Sequence, residues 1–494
     1  MASNTTYGDY MRDMPGGLRN IGMPLTIAAI AILVVGIFVM MANPLVALAI
    51  LAVGEGTVAV LAVRDRAHRN IADRQLERAA YRRQIRSRAA LYRSGMLAPV
   101  ESGVCALPGI CSEVTLVEAS DPFGHRFTLV SHGHTGEYAL LMACQPQGTA
   151  MADDHVEDAY VAAWAHVLES LADEDGVAQL AVTVDTAPDS GVRFRRSLTR
   201  HMVDDAPDLA ARCMRQVMDS YAQGGASSDT ILTLTFRYRD RKGKWLDRQE
   251  AARRIGQLIP SLTGRITDAG GGTPRCMTSD EIARLVAQAY DPRAQKTIEE
   301  RDEAPYVDWR DAGPVAAEAR WDYYRHDSGL SRTWQMCDPP ASNVTSGTLA
   351  TLLGPLRDVD RKRVTLIFHA VPSDRTAFMV EQNRQKAVNQ ISQEKRPSMK
   401  ASKQMAMSNR QAEEATDGAV LVYFGLLVTA TVRAGEQEEA RLEAASHAVE
   451  SAAGAAKINL RPCYAAQDTG FAACLPLGFD ARSYKPSTLT GFIG

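Results

Sequence analysis

The sequence predicts an α+β protein: an N-terminal two-helix transmembrane hairpin, then a cytoplasmic body of two ferredoxin-like α/β sandwich units. Three observations carry this. Ile21–Val63 is apolar all round and holds one ionisable side chain, Glu55. A dense run of arginines follows it. Beyond residue 99, short alternating apolar runs interleave with amphipathic helical patterns, which argues for layered strands and helices.

The apolar stretch is too long for one span and suits two. Pro24–Met41 and Leu45–Val63 hold 18 and 19 residues, or about 27–28 Å each at roughly 1.5 Å per residue, against a hydrocarbon core of about 30 Å. Asn43 suits a cap and Pro44 a first helical position, so a tight turn is expected between them. A cleavable signal peptide fits poorly, because the apolar block is too long and arginines follow it. Glu55 lies midway along the second span, between Gly54 and Gly56. An intramembrane carboxyl is costly, and small neighbours permit close helix approach. These three residues are a candidate docking point for another membrane subunit, set against a neutral glutamate tolerated in a hairpin.

Arg64–Arg93 contains ten arginines against Asp65, Asp73 and Glu77. Positive flanks stay cytoplasmic, so the expected location is the inner (plasma) membrane, multi-pass, with both termini in the cytoplasm. The segment is expected to continue the second span as a helix, ending near Gly95 and Pro99. Arg78, Arg82, Arg83 and Arg86 are candidate contacts for anionic lipid headgroups or an acidic partner. The predicted organisation is a tail over 1–20, the hairpin over 21–63, the arginine helix over 64–98, and α/β domains over 99–274 and 275–494.

In the first domain, Val114–Glu118, Arg126–Val130, Tyr138–Cys144, Val177–Val184 and Thr230–Tyr238 read as strands. His155–Ala172, Asp208–Gln223 and Arg248–Leu262 read as helices. In the second, Thr278–Ala289 is a helix capped around Ser279 and Glu281, and Gly347–Leu353 a short one. Asp374–Glu414 is a long helical stretch broken at Pro397. Arg332–Asp338 and Arg363–Val371 are strands. Gly418–Val432 is too short for a third span and reads as a buried strand. Glu436–Gly454 is a helix with acids in its first turn, and Lys457–Leu460 and Gly470–Leu475 close as strands. Strand–helix–strand order recurs in both halves, although sequence similarity between them is too weak to carry a duplication.

Bulk chemistry excludes several classes. Net charge is −3, so the whole chain is no polyelectrolyte binder of nucleic acid. Eight cysteines show no CxxC spacing. There is no GxxxxGK[ST], GxGxxG, GxSxG or HExxH string, which argues against a motor ATPase within the chain and leaves catalytic, metal and cofactor residues unassigned. His132-Gly133-His134 reads as a surface loop, and Arg320–His326 as aromatic–arginine packing at a domain edge rather than a nucleic-acid platform.

Leu421–Val432 (LVYFGLLVTATV), Glu436–Ala456 (EQEEARLEAASHAVESAAGAA) and Ala465–Gly478 (AAQDTGFAACLPLG) resemble the N-terminal, non-motor domain of conjugative type IV secretion ATPases. In that family an LPLG-like segment precedes the motor; with this sequence ending at Gly494, a separate motor is expected. The hairpin resembles the small two-span inner-membrane subunit paired with that ATPase. The layout also resembles the EccE subunit of type VII (ESX) secretion, and actinobacterial mobile elements encode conjugation membrane proteins similar to both. The likeness covers roughly Ser331–Gly478 plus the architecture. It implies a non-catalytic subunit that anchors and docks a separate P-loop ATPase. Other inner-membrane secretion subunits are expected as partners, self-association is admitted, and DNA is involved only indirectly. A membrane-bound enzyme is the remaining alternative.

Overall fold

The computed structural model describes residue 10 and residues 23–63, 65, 69–95, 107–146, 148, 153–203, 205–221, 225–239, 242–300, 307–340, 344–393 and 399–484. The tail over 1–20 apart from Tyr10, the helix end at Pro99 and the break at Pro397 lie outside these residues.

The chain opens with three helices, α1 (Met23–Met40), α2 (Pro44–Ala62) and α3 (Ile71–Arg86). Then come β1 (Leu91–Arg93), β2 (Val114–Ser120), β3 (Arg126–His132), β4 (Glu137–Cys144), α4 (Asp154–Ala172) and β5 (Val177–Pro188). Next are α5 (Val192–His201), α6 (Asp208–Tyr221), β6 (Ala226–Phe236), α7 (Arg248–Ile266), β7 (Arg275–Cys276), α8 (Ser279–Tyr290) and α9 (Gln295–Glu300). The second half runs β8 (Ala316–Ala319), β9 (Tyr324–His326), β10 (Gly329–Asp338), α10 (Ala350–Leu353), β11 (Arg361–Ala370), α11 (Ser373–Gln393) and α12 (Met399–Thr416). It closes with β12 (Val422–Arg433), α13 (Glu438–Ala455), β13 (Asn459–Pro462) and α14 (Gln467–Cys474).

The described strands form one antiparallel sheet in the order β1-β8-β9-β10-β12-β11-β5-β6-β4-β3-β2, with β13 against β10 and β7 against β4. Within it, β4–α4–β5–β6–α7–β7 lies in the order β7-β4-β6-β5, and β10–α10–β11–β12–α13–β13 in the order β13-β10-β12-β11. Each has the strand–helix–strand–strand–helix–strand connectivity of a ferredoxin-like unit. The units meet edge to edge, β5 with β11, from Leu180↔Phe368 to Thr186↔Lys362. The second strand of each unit therefore pairs with its counterpart, which gives a pseudo-two-fold axis through the sheet. Thr183 and Thr365 face each other at that axis, hydroxyl to hydroxyl at 3.0 Å. The expected boundary at 274/275 falls just before β7, and the sheet continues across it.

Period-two alternation explains the layering. Leu232, Leu234 and Phe236 of β6 pack with Leu140 and Met142 of β4 beneath Ile255, Ile259 and Leu262 of α7. In the other unit Val428, Ala430 and Val432 of β12 pack beneath Leu442, Ala445 and Val449 of α13. The opposite face is covered by α8 and α14, where Ile282, Val286 and Phe471 meet Ala139, Leu141 and Ile231.

Several expectations change. The expected strand Gly470–Leu475 is helical as far as Cys474: Phe471 and Cys474 are buried one turn apart, a spacing a short apolar run cannot distinguish from a strand. Thr278, rather than Ser279, caps α8, its hydroxyl accepting from the Glu281 amide. The arginine segment does not continue α2, because the backbone at Val63 is extended (φ −62°, ψ 122°) and α3 begins only after Asn70. β1, β8 and β9 had no strand signal, being only three or four residues long.

Candidate functional site

Asn43 ends the α1–α2 turn, its side chain accepting from the Leu45 and Val46 amides at 3.1 and 3.4 Å, with Pro44 opening α2. The helices pack through glycines. A Cβ on Gly36 would lie 2.6 Å from Leu51 Cδ2, and one on Gly54 2.6 Å from Ile32 Cγ2. Gly54 thus serves contact within the hairpin, whereas nothing lies within 4 Å of a Cβ at Gly56. Glu55 is half-buried. The outward surface is large and aliphatic or aromatic: Phe38, Leu45 and Val53 are each more than 70% exposed. Among the described residues, α2 is the one helix with the length and apolarity of a membrane span; the apolar part of α1 found there, Thr26–Met40, is shorter.

The link from α2 to α3 is held by Asp65. Its carboxylate accepts from the Arg69 amide at 2.9 Å and from Arg74 Nη2 at 2.5 Å, and its own amide donates to the Arg69 carbonyl at 3.1 Å. The Asn70 amide donates to Asp73 at 3.0 Å. α3 has two distinct sides. Glu77 accepts from Arg461 of β13 at 2.8 Å, and Tyr81 packs edge-on against Trp321 at 5.4 Å, so one side is fixed to the sheet. Trp321 in turn stacks on Tyr464, over which Arg461 lies. On the other side Arg78, Arg82 and Arg86 form a ridge at four-residue spacing, with Arg83 beside it. All four are exposed, and none carries an ion pair among the described residues. The sequence-predicted residues therefore form two groups, one inside the hairpin and one on α3.

A cavity of about 340 Å³ opens between α8 and the ends of β4, β5, β6 and β11. It falls in the size range of ligand pockets, but its charges bind each other. Arg361 makes a bidentate, buried pair with Asp185 at 2.7–3.1 Å, and Arg275 grips Glu281 at 2.6 and 2.8 Å. Burial works against the charge of Arg361; the Asp185 carboxylate outweighs it and holds the guanidinium above its ordinary value.

The segment after α14 lies across the sheet as a strap. The carbonyls of Cys474, Pro476 and Gly478 accept from Thr365, Thr233 and Thr235 at 3.4, 3.2 and 2.9 Å. The Leu477 carbonyl meets His132 Nε2 at 2.8 Å, and Phe479 accepts from Gln179 at 3.3 Å. His132 is thus a buried residue ending β3, not part of a surface loop; Gly133 and His134 are exposed, with His134 3.4 Å from Glu113. Asp480 closes the strap against Arg237, His369 and Arg482. Burial works against its charge, but the hydrogen bonds from His369 and Arg482 prevail and hold the carboxyl well below the usual range. Alternating threonines on β6 and β12, with Thr365 on β11, were the only sequence signal for this polar face.

At the opposite strand ends from the α3 contact, α5 and α6 fill the β5–β6 connection. Leu209, Cys213, Met214 and Val217 form an exposed apolar stripe on α6. Helical periodicity was legible there; its lack of cover was not.

Residues 16–73 match the family model DUF8461, a domain of unknown function. That segment includes α1, α2 and the first residues of α3. No curated protein matches the chain.

Proposed function

We propose that this chain is a non-catalytic, multi-pass inner-membrane subunit of a conjugative type IV-like secretion apparatus. Its hairpin spans the membrane twice, both termini lie in the cytoplasm, and its α/β body docks a separate P-loop ATPase. The observation that carries this reading is the α1–α2 hairpin. It is packed on itself through Gly36 and Gly54, presents large apolar side chains outward, and leads into an arginine-rich helix. Apolar surface of that extent suits lipid, and positive flanks stay on the cytoplasmic side.

The bare stripe on α6, at strand ends away from α3, supports recruitment of a soluble partner. Anchoring raises the partner's effective concentration at the membrane. The mutual pairing of charges in the α8 cavity supports a structural role for that region.

The test is purification of the full-length chain from membranes in detergent, after co-expression with a P-loop ATPase of a conjugative type IV secretion system. The ATPase is expected to co-purify, and Leu209→Glu with Val217→Glu to reduce its recovery at least tenfold, about 1.4 kcal/mol of docking energy. Extraction of the chain by alkaline carbonate without detergent would overturn the anchor. Unchanged recovery with the α6 variant would overturn the docking surface, and a type VII translocation ATPase in place of a conjugative one would favour the EccE-like affiliation.

A further inference from the structure

We infer that α3 lies on the membrane surface as an interfacial helix, its arginine ridge seated on the phosphates of anionic phospholipids. This rests on the proposed anchor and adds a lipid class to it. The first ground is the break in the chain. A helix continuous with α2 would carry its arginines straight away from the bilayer, but the extended backbone at Val63 and the Asp65-centred turn end α2 and start α3 separately. Only residues 63–70 separate the last turn of α2 from the first of α3, so α3 begins at headgroup depth.

The second ground is the division of labour around α3. The side bearing Glu77 and Tyr81 is occupied by Arg461 and Trp321. The basic residues nearest the turn are already paired, Arg74 with Asp65 at 2.5 Å and Arg69 with Glu77 at 3.7 Å. Arg78, Arg82, Arg83 and Arg86 are what remains: exposed and without an acid among the described residues. Exposed Ile71 and Leu76 precede them along α3, and exposed Ile85 lies between Arg83 and Arg86. A cationic helix surface interspersed with aliphatic side chains matches the headgroup layer, where arginine forks meet phosphate oxygens and aliphatic groups reach the acyl boundary. The body, fixed to the other side of α3, would then be held at a set height above the lipid.

The experiment is hydrogen exchange of the full-length chain in nanodiscs of phosphatidylcholine alone and in discs also containing phosphatidylglycerol. Amides over 71–86 are expected to exchange roughly tenfold more slowly in the anionic discs. High salt should abolish the difference. Arg→Gln at 78, 82, 83 and 86 should remove it, and Arg→Lys at the same positions should keep most of it. Exchange of β11 and β12 reports whether each variant remains folded. Equal exchange of α3 in both discs, with the chain resistant to alkaline carbonate, overturns the inference and leaves the anchor standing. Release by carbonate overturns both. Protection by added DNA or by an acidic protein in phosphatidylcholine discs, without a phosphatidylglycerol effect, also overturns it and assigns the ridge to that partner.

Discussion

Gly478 shows how narrowly single positions are set. Its φ is +77°, and a Cβ there would press into Ala139 and lie 2.8 Å from Thr235 Oγ1. Left-handed strain and overpacking would add, so Gly478→Ala should cost about 2–4 kcal/mol, read as a fall in thermal midpoint. Asp185→Asn should cost a similar or larger amount, roughly 3–5 kcal/mol by chemical denaturation, because it leaves Arg361 buried without its carboxylate. His326 is fully buried, Nδ1 2.6 Å from the Tyr290 carbonyl and Nε2 2.7 Å from the Ser331 hydroxyl. Burial pulls its pKa from 6.5 down to about 4, against the hydrogen bond to Tyr290. The neutral ring is therefore favoured by the fold. Its contribution is complete above pH 6.5 and is lost as pH falls toward about 4, where it amounts to roughly 3 kcal/mol. Denaturation at stepped pH should show this loss in the native chain and not in His326→Gln. Neither histidine environment was legible in the sequence, since their partners lie far along the chain or on main-chain carbonyls.

Among elements, the clearest sequence signals were those whose periodicity spans many residues. β6 and α4 follow directly from alternation and helical spacing, whereas β12 was read from its length and α13 from the acids of its first turn. α14 was misread because six apolar or small residues fit either period. The α2–α3 break was hidden because the arginine segment has uniform helix-forming composition, and the turn depends on Asp65 and Asn70 folding back on Arg69 and Asp73. The candidate residues were legible as a group, but not their division of labour. Gly54 and Gly56 looked equivalent in sequence, yet only Gly54 meets the other helix. Gly54→Leu is therefore expected to weaken α1–α2 packing, with a marked loss of cysteine cross-linking between the helices in detergent. Gly56→Leu should leave cross-linking near the native level.

For the whole molecule, two ferredoxin-like units were expected and their fusion into one sheet was not. Pairing between remote edges leaves no mark on local pattern. The consequence for dissection is direct. A chain cut after residue 274 would expose the full β5 edge, unprotected and rich in β-branched residues. Such a fragment is expected to aggregate on sizing columns, whereas point variants on α6 or α3 should leave the folded chain monodisperse.

The seam between the halves carries a final implication. Stepping out from Thr183 and Thr365, Asp185 matches Ile367 and Arg361 matches Gln179. The ion pair thus occurs on one flank, and its mirror position is uncharged. Identical partners would have to bear such a pair twice or not at all. Joining both units in one polypeptide lifts that obligation, so the molecule can keep a charged chamber on one flank and specialise its two flanks independently.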